Sequence, residues 1–411
     1  MSQASYREFT RDVHHRITDR IPLNVTLEIT HRCPLTCAHC YNNLPMADRQ
    51  AAQAELTVDQ YKRLLDELND LGTFWLLFSG GEAFARKDFL EIYTYAKQKG
   101  FLITIFTNGT ILTPAICDYL VEWPPFAIEV TLYGHTRETY EKLTGVSGSF
   151  DRCRRGINLL LERKLPLKLK TCPTSINKHE VRDMQQFAED LGLDLKYDAL
   201  LNPRTDCSQS PLAVRLRPEE VVALEFSEAR RRSEYRRLLD LDLAQGPPPI
   251  SDDLYFCGGG MTSCAVDPYG NMSICVISHQ DHYNIRDGSF TDGWNQALLA
   301  VRKKKRLRQT KCQMCQIQSL CGMCPANGEL DSRDPESPVE FLCEVAHLRA
   351  MALGAEVPAH GDCDCCPGGA KYDSLVESVS GLADIGEAMQ APPVAVLPVL
   401  NQVSVSCGGC R

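Results

Sequence analysis

An α/β fold built on a parallel sheet is what the first half of this chain predicts, and two observations carry it. Between residues 24 and about 205, six short β-rich runs alternate with longer charged segments of helical period. Six β-then-α units in succession argue for parallel strands covered by helices. The pattern leaves a partial barrel and a doubly wound sheet both open.

The candidate strands are Asn24–Thr30, Thr73–Phe78, Leu102–Phe106, Ala127–Leu132, Leu167–Thr171 and Asp194–Leu200. Each is rich in β-branched, aromatic or leucine residues, as a strand packed on both faces requires. Between them, Thr57–Leu71 and Phe89–Lys99 carry apolar residues at helical spacing among charges. Residues 206–256 read as a charged helical connector ending in Gly246-Pro-Pro-Pro249. The expected organisation is a 1–23 extension, a 24–205 barrel-like domain, the 206–256 connector, a 257–350 cysteine-rich domain and a 351–411 tail.

Composition narrows the function classes. The chain has 411 residues, 44% hydrophobic and 24% charged, as a soluble globular protein does. A net charge of −9 argues against nucleic acid as the main partner. The first residues show no apolar export segment, and no run approaches the roughly 20 apolar residues that span a bilayer. A cytoplasmic protein with no membrane partner is expected. Twenty cysteines in such a chain point to metal ligation or catalysis rather than disulfides. Cys117, Cys153, Cys172 and Cys207 stand singly and read as small buried hydrophobes.

Cys33, Cys37 and Cys40 decide the chemistry. They follow the first strand in the run Arg32-Cys-Pro-Leu-Thr-Cys-Ala-His-Cys-Tyr41. An iron–sulfur cube normally takes four thiolates, so three leave one iron open to an outside ligand. Half a zinc site is the competing reading, although this spacing suits zinc poorly. In sheets of this kind ligands gather at the carboxyl ends of the strands. Gly80-Gly81-Glu82 follows the second strand there, where paired glycines permit close backbone approach to a ligand and a glutamate can accept from an ammonium. Thr107-Asn108-Gly109-Thr110 closes the third strand; Thr131 and Tyr133 end the fourth, and Lys170 the fifth.

These motifs resemble those of the radical S-adenosylmethionine superfamily. The resemblance implies an open six-stranded partial (β/α)6, TIM-like barrel. It implies a [4Fe–4S] cluster on Cys33, Cys37 and Cys40 whose open iron chelates S-adenosylmethionine, and a 5′-deoxyadenosyl radical that abstracts hydrogen. Gly80, Gly81 and Glu82 would hold the methionyl amino group. Asn108, Thr131 and Lys170 would contact the adenosine, ribose or carboxylate. Where the family commonly continues with proline, this chain has Ala83. An electron donor such as flavodoxin or ferredoxin is implied as a partner.

A second array follows: Cys257, Cys264, Gly270 and Cys275, then Cys312-x2-Cys315-x5-Cys321-x2-Cys324, then Cys343. Eight cysteines suffice for two four-thiolate sets, and two zinc knuckles are the alternative. The layout resembles the SPASM domain of radical peptide-modifying enzymes, which carries two auxiliary [4Fe–4S] clusters. That resemblance implies Cys257, Cys264, Cys275 and Cys324 for one, and Cys312, Cys315, Cys321 and Cys343 for the other. Val266-Asp-Pro-Tyr-Gly-Asn271 reads as a hairpin turn, and Tyr283–Gly288 matches the family's Asn-Ile segment. There are two departures. Two residues rather than three separate Cys321 from Cys324, and Val276 stands where sulfatase-maturing relatives place a catalytic aspartate.

The tail changes composition. It holds Cys363, Cys365 and Cys366, then apolar residues at helical spacing (Tyr372, Leu375, Val376, Val379, Leu382, Met389). A proline-containing stretch follows, with Cys407 and Cys410 near the end. Seven acids against Lys371 and Arg411 give it −5 of the net charge. Three readings stand: a flexible extension with a fortuitous metal site, a redox pair at Cys407 and Cys410, or a leader-like helix and cysteine core that are themselves substrate. Tethering would raise the effective concentration of such a substrate to roughly millimolar. The basic run Arg302–Arg306 with Arg308 could dock it, or serve only as a solvated face. The expected protein is a radical enzyme acting on a peptide or protein, its own tail included. The alternatives are a small-molecule radical enzyme and a non-enzymatic iron–sulfur electron carrier.

Overall fold

The computed structural model describes residues 19–245 and 251–389. Gly246–Pro249, the proline-containing stretch and Cys407 and Cys410 lie outside the described residues.

Six strands form in the predicted order: β1 (Asn24–Thr30), β2 (Trp75–Gly80), β3 (Leu102–Thr107), β4 (Ala127–Thr131), β5 (Leu167–Thr171) and β6 (Leu195–Tyr197). Each pairs in parallel with the next. A doubly wound sheet would reverse its strand order part-way; this one runs 1-2-3-4-5-6 without reversal and so is a partial barrel. Val25, Leu27 and Ile29 of β1 and Ile103 and Ile105 of β3 are buried in the layer beneath the helices. The alternate positions Glu28, Phe106, Glu129, Thr131 and Lys170 share the opposite, lumen face.

The helices cover the outer face for local reasons. In α1 (Val58–Asp70) Thr57 Oγ1 accepts from Gln60 N while Gln60 Oε1 accepts from Thr57 N, a reciprocal cap. Tyr61, Leu64, Leu65 and Leu68 then fall on one buried stripe. α2 (Phe89–Gln98) does the same with Phe89, Ile92, Tyr93 and Ala96. Further helices are α3 (Pro114–Glu122), α4 (Arg137–Thr144), α5 (Ser149–Glu162) and α6 (Val181–Asp190). Strand ends differ from the sequence expectation by a few residues: β2 starts two residues later, and β6 keeps only three of the seven residues expected.

One sheet joins the two regions that the sequence separates, and one helix runs across the 350/351 boundary. Beyond α7 (Pro218–Phe226) and α8 (Ala229–Gln245), β7 (Ser263–Val266) pairs in parallel with β1. β8 (Asn271–Ser273) and β9 (Tyr283–Asn284) extend it antiparallel, so one nine-stranded sheet spans both cysteine regions. The predicted hairpin turn is present: Asp267 Oδ1 accepts from Tyr269 N and Asn271 N, each at 2.8 Å, and Gly270 takes φ 87°. α9 (Pro325–Ser332) precedes α10 (Glu340–Ala352), which runs through the expected 350/351 boundary. α11 (Tyr372–Ser380) packs on α10, and α12 (Leu382–Ala388) packs on α7. The described part of the tail is therefore docked, with Leu375 and Met389 buried. The driving force is the apolar stripe seen in the sequence, which needs a partner face in water.

Candidate functional site

The Cys33–Cys40 loop leaves β1 and is fixed from several directions. Tyr41 Oη and Asn42 Nδ2 donate to Glu28 Oε1 at 2.8 and 2.6 Å. Arg204 donates to Cys40 O and to Asn43 Oδ1, both at 3.0 Å. From the other side, Thr36 N and Ala38 N donate to the carbonyls of Thr144 and Leu143 at the end of α4. The Tyr133 ring lies 5.2 Å from His39. Glu28 acts on this loop from the strand that enters it, and Tyr133 and Arg204 from distant parts of the chain. Only Glu28 carried a usable signal, being a charge inside an apolar strand.

The three thiols converge on one another. Burial pushes Cys33 up to about 12, and Cys37 and Cys40 are raised for the same reason, each also feeling its neighbours' charge. Buried thiols of this kind become thiolates when a cation takes them, and three soft donors suit iron. Asn108 Nδ2 stands 3.5 Å from Cys33 Sγ.

Gly80 and Gly81 are also required by the packing of the chain's own backbone. A Cβ on Gly80, whose φ is 121°, would stand 2.2 Å from Thr30 O; one on Gly81 would stand 2.4 Å from His31 O. The pair thus lets β2 press against the backbone entering the cysteine loop, and the amides of Gly81 and Glu82 donate to Thr30 O and Arg32 O. Glu82 is turned inward and buried. It accepts from Thr107 Oγ1 at 2.8 Å and from Asn108 N at 2.8 Å, and burial raises its carboxyl to about 7. Thr131 and Lys170 are partners in register across β4 and β5. Lys170 lies 4.0 Å from Glu129 and over the Phe106 ring, and burial lowers it to about 7. All six expected cofactor contacts therefore lie on the lumen face or at the carboxyl ends of the strands.

The second array sorts into two groups. Cys312 feels Cys315, Cys321 feels Cys312 and Cys315, and Cys343 feels Cys312 and Cys321, so these four thiols lie together. Cys257, Cys275 and Cys324 form the other group. A cavity of about 360 Å³ is lined by six of these seven, all but Cys275. Cys264, expected in the second group, is not brought to it. It pairs in register with Val25 and so shares the outer, helix-covered face, where Arg20 is its charged neighbour. Cys275 lies instead within reach of the charge of Glu28, on the lumen face. The basic run is largely occupied: Lys304 pairs with Asp281, Lys305 with Asp253 and Arg308 with Asp334. Cys117 and Cys153 are fully buried as expected, whereas Cys172 and Cys207 are only partly so.

Residues 27–191 match the model of the radical SAM superfamily. The chain is a radical S-adenosylmethionine enzyme. Its cofactors are accordingly a radical [4Fe–4S] cluster and S-adenosylmethionine. It is 27% identical to the AdoMet-dependent heme synthase of Methanosarcina barkeri over 74% of this chain and 91% of that protein. It is 26% identical to mycofactocin maturase MftC of Mycobacterium tuberculosis over 77% of this chain and 82% of that protein. Its fold is that of Streptococcus suis SuiB bound to precursor peptide SuiA (TM-score 0.61, 16% identity, 81% of this chain and 78% of that one). It is also that of anSMEcpe with bound AdoMet and Cp18Cys peptide (TM-score 0.58, 16% identity, 88% and 99%). The enzyme is thus an α/β partial barrel with a cysteine-rich C-terminal region like that of SPASM structures, related to SPASM peptide maturases and to heme synthases. Among the described residues no helix is long and apolar enough to cross a membrane.

Proposed function

We propose that this enzyme uses its radical to modify a peptide or protein, with Cys33, Cys37 and Cys40 holding the radical cluster. The observation that carries the assignment is the convergence of those thiols with Glu82 and Asn108 at the carboxyl ends of β1 to β3. When bound, the cluster supplies the electron that cleaves S-adenosylmethionine and so yields the hydrogen-abstracting radical. The chain's own residues position that chemistry. Glu82 accepts the ammonium of S-adenosylmethionine, and Thr107 and Asn108 hold the carboxylate in place. Gly80 and Gly81 keep it next to the cysteine loop. Lys170, nearly desolvated between Phe106 and Glu129, is placed to meet the methionyl carboxylate, with Thr131 beside it.

Two auxiliary [4Fe–4S] clusters belong to the same reading. Cys312, Cys315, Cys321 and Cys343 supply one full set. Cys257, Cys275 and Cys324 supply three ligands of the other, with its fourth position open to a ligand other than Cys264. Relatives crystallised with peptides, and the maturase relative, favour a peptide substrate. The heme-synthase relative, matched over nine-tenths of its length, favours a tetrapyrrole as the second reading.

The enzyme's own C-terminus is the specific peptide that the geometry favours. Gly386 and Met389 share a small cavity with Lys178, Val181 and Arg182, at the start of α6. That helix begins at the carboxyl end of β5, so the described chain ends on the same side of the barrel as the site. The eighteen residues from Met389 to Cys407 can span up to ~60 Å. The test is anaerobic reconstitution with S-adenosylmethionine and a reductant, then reduction, alkylation and mass mapping of the C-terminal peptide. A loss of two hydrogens at Cys407 or Cys410 that resists reductant marks a cross-link. Full alkylation of both, while 5′-deoxyadenosine accumulates, removes the tail as substrate.

A further inference from the structure

His347, His360, Cys363 and Cys366 meet in a cluster at the wall of the cavity that the auxiliary cysteines line, where His360 also hydrogen-bonds Cys315, and neither cluster set proposed above uses these four side chains. One ligand atom of each lies within 4.8 Å of the others. His347 Nε2 is 3.3 Å from Cys366 Sγ and 3.8 Å from Cys363 Sγ, and His360 Nδ1 is 3.3 Å from Cys366 Sγ. A tetrahedral zinc with two sulfurs and two nitrogens has ligand-to-ligand edges of ~3.3 to ~3.8 Å. We propose that these four side chains bind a structural zinc ion.

The surroundings fit that assignment. His347 Nδ1 lies 2.8 Å from Cys343 O; a carbonyl only accepts, so Nδ1 carries the proton and Nε2 is free to ligate. His360 Nδ1 lies 3.0 Å from Pro358 O as well as 3.3 Å from Cys366 Sγ, so this nitrogen would give up its proton and its bond to the carbonyl when the ion binds. The imidazoles of His347 and His360 lie nearly parallel, their centroids 6.0 Å apart. His347, Cys363 and Cys366 are buried while His360 is partly exposed, which gives the ion an entry path. Two thiolates and two imidazoles neutralise zinc, and they fill its four positions, as a structural rather than a catalytic site requires. The ion would tie α10 to the loop leading into α11 and α12. His347 lies one helical turn beyond Cys343, so the zinc site would hold that loop against the cavity lined by Cys312, Cys315, Cys321 and Cys343. The sequence signal was a C-x2-C pair beside two histidines, divided between a helix and a loop.

The test uses full-length protein purified without oxygen from zinc-supplemented medium. Metal analysis should give about one zinc per chain beside the iron. X-ray absorption at the zinc edge should fit two sulfurs at ~2.3 Å and two nitrogens at ~2.0 Å. His360→Ala and Cys366→Ser should each cut zinc at least tenfold and leave iron unchanged. A four-sulfur shell would place the zinc in the cysteine array and overturn the proposal. So would protein without zinc, or variants that lose iron in place of zinc. The absorption measurement needs no variant and stands even where one fails to fold.

Discussion

The cysteine loop at the barrel mouth is fixed from many sides, whereas the cysteines beyond Tyr255 sit on turns and short helices around a cavity. Cys33 to Cys40 borrow rigidity from β1, from the end of α4 and from Arg204. Glu82 is gripped by two donors from the end of β3. In the second region the thiols arrive from a loop, a hairpin, two single-turn helices and α10, and a single strand register decides whether one of them joins. A site on strand ends is positioned by the sheet; a site on loops is positioned by its own ligands and by neighbouring staples.

The largest expected effect contrasts two cysteines of the same predicted set. Cys324→Ala should remove about four irons, one whole cube, because its thiol meets Cys257 and Cys275. Cys264→Ala should leave iron content unchanged, because that thiol faces the helix layer. If Cys264→Ala also loses a cube, the register reading is wrong.

The second region is also tied to the helices that follow the barrel, by a buried ion pair. Arg349 of α10 donates to both oxygens of Glu225 of α7, at 2.8 and 2.6 Å, and each side chain is 3% exposed. Arg349→Met leaves that carboxylate buried and unpaired, which should destabilise the fold by about 3–5 kcal/mol in denaturant titration. A change within 0.5 kcal/mol would mean that the pair adds nothing to the hold between α7 and α10.

Within the barrel, Glu82→Gln keeps the size of the side chain and removes its charge. S-adenosylmethionine should bind with about 1.5–3 kcal/mol less affinity, roughly 10- to 150-fold, at unchanged iron content. Because burial raises the carboxyl to about 7, lower pH protonates it in the ligand-free enzyme. Affinity should therefore fall about tenfold per unit below pH 7, and that slope should vanish in Glu82→Gln. A titration flat from pH 8 to 6 in the parent enzyme would take Glu82 out of the binding step.

The barrel was legible in sequence because strand and helix alternation is local and β1 to β6 follow it in order. The cysteine loop was legible because its three thiols are adjacent in the chain. The face that Cys264 takes was hidden because Cys264, Ala265 and Val266 are all buried, so alternation gives no sign of which side a thiol points to. Gly80 and Gly81 announced a close approach, but that the backbone at Thr30 and His31 stands there is a long-range fact that no local pattern carries. The docking of α11 and α12 was hidden because an apolar stripe shows that a partner face exists and not which one.

The central claim is that Cys33, Cys37 and Cys40 hold the cluster at which S-adenosylmethionine is cleaved. Its most direct test compares the parent enzyme with the triple alanine variant after anaerobic reconstitution, counting iron and 5′-deoxyadenosine. The account predicts about twelve irons and product in the parent, and about eight irons with none in the variant. A variant that still forms 5′-deoxyadenosine, or keeps all of its iron, would contradict it.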